Sequence, residues 1–166
     1  MTDSNRAMFD FFPDNEILSH AKEFLNLCKE LQGKGRFTIP FIINATFAIE
    51  LSLKCLHANQ YYNNNTGTSY SKSLLKSRNH SPHELYDILP AEKKLWLNDL
   101  HSEFFHDRKT KLRQELEFFE KVFINWRYMY EGNSSSIRLD ILKDLLRFFE
   151  FACSPESISK YRPKNI

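Results

Sequence analysis

Glycine is scarce in this chain, at 4 of 166 residues. Tight-turned β architectures and phosphate-cradling loops both depend on glycine, so neither is expected. Cysteine is also rare: Cys28, Cys55 and Cys153 form an odd set without paired spacing. That argues against a disulfide framework and against a CxxC metal or redox motif. Cys28 and Cys55 fall on apolar helical faces, so reduced core thiols and a cytoplasmic setting are expected. Neither sign of charge dominates, since 23 basic residues face 21 acidic ones for a net charge of +2. A histone-like field is excluded, and any nucleic-acid site must be a local patch. Long uncharged apolar runs are missing too. The most apolar segment, Ile39 to Ala58, carries Glu50 and Lys54, which argues against a membrane span. The first residues lack the basic-then-apolar order of a signal peptide. HExxH and GxSxG are absent, and no metal or cofactor is expected.

What the chain does have is phenylalanine, 15 in all, with broad supplies of Leu, Lys and Glu. The length suits one domain with its own core. Ile17, Leu18, Ala21, Phe24, Leu25, Cys28 and Leu31 recur at steps of three and four, which predicts a helix over about Asp14 to Gln32, stopped by Gly33 and Gly35. Thr38 and Pro40 suit the start of a second helix, whose apolar residues point nearly all round, as in the central helix of a bundle. Asn59 to Ser71 is polar and without period, so a surface loop is expected there. Ser81, Pro82 and Glu84 predict a capped helix start, with Ile88 and Leu89 on the short helix that follows. Pro90 opens another, carrying Leu95, Leu97, Leu100 and Phe104. Long helices follow over about Lys109 to Tyr130 and Ser136 to Cys153. The expected fold is all-α: an up-and-down bundle of four long helices plus short ones, in a single domain over 1–166. Its core spans about 14–153, with a loose arm at 1–12 and a frayed tail at 154–166.

Polar residues on apolar helices mark the candidate sites. Glu50 and Lys54 lie one turn apart on the central helix, where a buried charge needs partners. Trp126, Arg127, Tyr128 and Tyr130 close the long helix, and Arg127 is a cation that could answer Glu50 or hold a phosphate. His83 opens the helix that returns beside Glu50. A buried polar cluster of Glu50, Lys54, His83, Arg127 and Tyr128 is therefore expected. His101, Glu103 and His106 have poor spacing for one metal and read as residues of a solvated face.

Three runs together resemble a known family. Ala48-Ile49-Glu50-Leu51-Ser52-Leu53-Lys54 resembles the A-x-E-L-x-L-K helix of HEPN-domain proteins. His83-Glu84-Leu85-Tyr86-Asp87-Ile88-Leu89 is similar to the H-x-L-x-x-L helix start of one branch, and Phe123-Ile124-Asn125-Trp126-Arg127-Tyr128-Met129-Tyr130-Glu131 to its F-x-x-W-R-Y-x-Y-E element. The resemblance implies a helical bundle, commonly a homodimer, in prokaryotic toxin–antitoxin or antiviral-defence systems. It implies RNA and an antitoxin or defence protein as partners, and in many members a metal-independent endoribonuclease. Such members use an Arg followed after four to six residues by a His, usually within a late helix and often as R-N-x-x-x-H, in which His moves protons and Arg steadies phosphorane charge. Arg78-Asn79-His80-Ser81-Pro82-His83 has those letters, which makes Arg78 and His83 the candidate catalytic pair, although Pro82 places them at a loop-to-helix junction. The alternative is a non-catalytic dimeric module for protein–protein interaction. Phe9, Phe11 and Phe12 are candidates for the surface a dimer would cover.

Overall fold

The computed structural model describes residues 6–9, 13–35, 39–63, 66–73, 80–120 and 138–161, with 6–9, 58–63 and 69–73 described by their backbone. Helix α1 (Asn15–Gly33) starts where Asp14 accepts hydrogen bonds from the amides of Glu16 and Ile17 at 3.0 and 3.1 Å. This cap satisfies amides that the first turn leaves open. Leu18, Ala21, Leu25 and Cys28 form the buried stripe. Gly35, at φ +65°, supplies the left-handed residue that ends the segment.

Helix α2 (Ile39–Cys55) runs back against α1, and the Asp14 amide donates to the Cys55 carbonyl at 2.9 Å where the two ends meet. Phe41, Ile42, Ala45, Ala48, Ile49 and Leu53 are buried on several sides of α2. Its buried hydroxyls turn back on their own helix: Thr46 donates to the Ile42 carbonyl and Ser52 to that of Ala48. Helix α3 (Pro82–Asp87) follows, then α4 (Ala91–Phe104), α5 (Leu112–Glu117), α6 (Leu139–Ala152) and α7 (Pro155–Lys160). Both α3 and α6 pack on α2, as α1 does, so α2 is the central helix its apolar circumference predicts. Helix α6 brings Leu142, Leu145, Phe148 and Phe149 into the shared core. The fold is predominantly helical.

Several expectations need correction. The polar run at 59–71 is not an irregular loop. Strands β2 (Ala58–Asn63) and β3 (Thr68–Ser73) form an antiparallel hairpin, and β1 (Arg6–Phe9) pairs with β2, so the sheet order is β1-β2-β3. Tyr61 lies opposite Met8 on one side and Tyr70 on the other. Tyr and Thr favour strands, and backbone pairing alone can hold a ladder without alternating apolar residues. Gly67, at φ +64°, supplies the turn. The supposedly loose arm therefore contributes a strand. The helix expected over 109–130 begins at Leu112 and stops at Glu117; the amides of Phe119 and Glu120 then turn back three residues, to Leu116 and Glu117. The rest of that span, and the side chains of Phe9, Phe11 and Phe12, lie outside the described residues. The tail is not frayed throughout, because Ser154 caps α7 with Pro155 in its first turn, and Tyr161 packs edge-on against Trp96.

Of the apolar residues carried by the short helices, Leu95 and Ile88 are exposed, with Leu95 at 54%. Lys93, Trp96, Leu97 and Leu100 turn inward instead. Leu95 and Leu97 of α4 therefore make a test. Leu97→Ala should cost roughly 2–5 kcal/mol in urea denaturation, whereas Leu95→Ala should stay within about 0.5 kcal/mol of the parent. Equal losses would show that the helix faces are assigned wrongly.

Candidate functional site

Glu50 sits on α2 with only 2% of its surface exposed. Lys54, one turn on, brings Nζ to 2.5 Å from Oε1, and His80 brings Nδ1 to 2.9 Å from the same oxygen. The His80 side chain is 61% exposed, so the imidazole covers the carboxylate from the solvent side. Glu50 and Lys54 thus meet as expected, but the histidine that reaches them is His80. His83 lies in the first turn of α3, is 8% exposed, and shares its Nδ1 with the Ser81 hydroxyl at 2.9 Å. Pro82 sets this arrangement: it starts the helix between the two histidines, which turns His83 inward and leaves His80 on the chain leading in. The Ser81 side chain makes no bond to the helix backbone, so the expected capping box does not form. Arg78, Arg127 and Tyr128 lie outside the described residues.

Two more buried polar groups fix α3 and α4 against the end of α2. His57 donates from Nε2 to the Leu85 carbonyl at 2.8 Å, and burial pushes its pKa down, which favours the neutral ring. Lys93, 4% exposed, donates from Nζ to the Leu56 carbonyl at 2.5 Å. Burial pushes its pKa down to about 8. All three cysteines are free and buried, in line with reduced core thiols. A hydrogen bond with the Cys153 thiol, together with burial, holds Cys55 well above the ordinary thiol range, so it is a poor nucleophile.

A third polar centre was not legible as a site in the sequence. Glu115 on α5 is fully buried. It accepts from Thr110 Oγ1 at 2.5 Å, from Arg108 at 3.2 Å and from His101 Nε2 at 3.3 Å. Burial raises the Glu115 pKa, but the hydrogen bonds from His101 and Thr110 and the Arg108 charge outweigh it, so the carboxyl lies below its usual range. His101, expected on a solvated face, is buried with its ring edge-on to Phe105 and Phe148. The Arg108 guanidinium also pairs with Asp144 of α6 and lies 4.0 Å over the Phe105 ring. Arg113 forks onto both oxygens of Asp87 at 2.8 and 3.1 Å.

These residues border a cleft of about 400 Å³ between α4 and the start of α5. Arg108, Lys109, Lys111 and Arg113 line it, facing Tyr86, Asn98 and Ser102, and none of its lining residues is Asp or Glu. An anion is the ligand such a wall suits. The available signal was the density of three cations in Arg108-Lys109-Thr110-Lys111 just after a helix end. No group of three His, Cys, Asp or Glu among the described residues is placed to hold a metal ion. No described helix is long and apolar enough to cross a membrane.

The chain matches no family model, no curated protein and no solved structure.

Lys93 gives this region a pH signature. Below pH 8 the group is protonated in both states and the cost of burying its charge is fully present. Between about 8 and 10.5 the unfolded chain keeps a proton that the folded one has released, so this residue's contribution to stability rises with pH. Cys55 acts in the opposite sense above pH 9, because folding holds its proton on. The readout is therefore the difference between parent and Lys93→Met in chemical denaturation. That difference should shift in favour of the parent by up to about 3 kcal/mol across this window. A flat difference would show that Lys93 is not desolvated in the folded state.

Proposed function

We propose that this chain is a HEPN-like, RNA-associated helical protein of a prokaryotic toxin–antitoxin or antiviral-defence system, acting as a homodimer with an antitoxin or defence protein as partner. The observation that carries the reading is the contact between the two sequence elements that resemble the family within the described residues. The A-x-E-L-x-L-K run lies on α2, and the H-x-L run forms α3, which packs on it. His80 caps Glu50 at this seam and His57 holds the Leu85 carbonyl. Such a seam is what a shared helical scaffold would preserve.

Arg78 and His83 remain the pair that the resemblance designates for cleavage. The burial of His83 and its bond to Ser81 support RNA association over cleavage through that residue, because a general base must reach the proton it removes. The second reading, a non-catalytic interaction module, draws support from the hollow of about 380 Å³ beside exposed Leu95, Trp96 and Tyr161. An apolar recess with an exposed leucine at its edge suits a protein partner.

Labelled single-stranded RNA incubated with the protein in chelator tests both readings. RNA should be retained at micromolar protein, with any cutting unchanged by His83→Ala. Loss of cutting in a folded His83→Ala variant would establish His83 as catalytic. Absence of RNA binding at tens of micromolar would overturn the RNA reading, and a dimer by light scattering in that case would favour the interaction module.

A further inference from the structure

We propose that the cleft between α4 and α5 is the seat for an RNA backbone phosphate, with Lys109 and Lys111 as the direct donors and Arg108 and Arg113 as fixed cations behind them. This assignment rests on the RNA-associated reading above and places the contact away from the Arg78/His83 junction.

The argument begins with the sign of the wall. Four cations and His101 line the cleft, and no carboxylate shares that lining. The acids that pair with the two arginines are Glu115, Asp144, Asp87 and Glu117, and all four lie outside it. They hold the guanidiniums in place, and because four carboxylates answer two arginines, the positive charge open to an anion is that of Lys109 and Lys111. Arg108 is further fixed by the Phe105 ring and Arg113 by its forked bond to Asp87. Cations pre-positioned in this way lose little freedom when an anion arrives.

Lys109 and Lys111 stand on either side of Thr110, and both are exposed. Thr110 is committed to Glu115, which anchors the backbone between the two ammonium groups. The pair therefore projects from a fixed point, as a clamp on a phosphate requires. The volume of about 400 Å³ is larger than one phosphate needs and falls within the roughly 300–1,000 Å³ range of small-ligand sites. The lining is cationic and hydroxyl-bearing, which suits the sugar–phosphate backbone in preference to base edges. Retention without strong sequence preference follows.

The test uses the full chain and a labelled ten-nucleotide single-stranded RNA, followed by fluorescence anisotropy at several salt concentrations. The double variant Lys109→Glu/Lys111→Glu should bind at least about tenfold more weakly and show a shallower salt dependence. Lys22→Glu/Lys34→Glu, which makes the same charge change on α1 and at its C-cap, should lose much less. Both variants carry their substitutions at exposed positions, and circular dichroism checks that they fold. If the parent binds RNA and the two variants lose affinity equally, the cleft is not the seat, while the RNA reading stands. If the parent binds no RNA, that reading fails and takes this assignment with it. Inorganic pyrophosphate provides the remaining arm. Displacement of the RNA by submillimolar pyrophosphate, beyond the effect of matched ionic strength, would show that the cleft takes a small phosphate ligand and overturn the RNA assignment.

Discussion

Helix α2 is walled in by α1, α3 and α6, and the polar atoms it carries inside must be answered by the protein. Leaving a carboxylate or a carbonyl unpaired there would cost one to several kcal/mol each. The surrounding structure supplies the answers. Glu50 receives Lys54 and His80, the Cys55 carbonyl receives the Asp14 amide, and the Leu56 carbonyl receives Lys93. Each of the last three partners comes from a different segment. Satisfying α2 therefore fixes where α1 begins, where the chain enters α3, and how α4 lies.

The same constraint explains an unusual choice at the end of α2. A lysine is rarely buried, yet Lys93 is placed where the last carbonyls of the helix leave unpaired negative ends. The helix dipole favours a cation there. Burial works against the charge and depresses the Lys93 pKa, outweighing the opposing effect of nearby groups such as Glu92. Hydrophobic burial near this point is also dense: Leu53, Cys55 and Leu56 are fully covered. The thiols of Cys55 and Cys153 belong to this packing, and the Cys55 proton is held on by the Cys153 hydrogen bond and by burial.

Another polar centre forms around Glu115 on α5. One buried carboxylate gathers an imidazole, a guanidinium and a hydroxyl, and the guanidinium bridges onward to Asp144. This network ties α4, α5 and α6 together through charge as well as apolar contact. It also leaves the cationic side of the loop facing the cleft, since the acids are used up behind it. At both centres a buried acid is met by one cation and one imidazole, and at α5 the neighbouring lysines also line the cleft.

Much of the helical framework could be read in the sequence. The stripe of α1, the all-round apolar character of α2, the inward face of α6 and the burial of Cys28 and Cys55 follow from apolar spacing, which is local and repeats every turn. The partners of polar groups could not be read that way. His80 in place of His83 at Glu50 depends on the direction in which Pro82 starts α3. Lys93 reaches a carbonyl 37 positions earlier, and Arg108 an acid 36 positions later. The hairpin at Ala58–Ser73 depends on backbone pairing between strands with no apolar alternation to announce it. Periodicity states which face of a helix is apolar and leaves open which charge will arrive at that face from elsewhere in the chain. That choice belongs to tertiary structure, because an ion pair or buried hydrogen bond requires two groups within about 3 Å, and only the packed fold sets their separation.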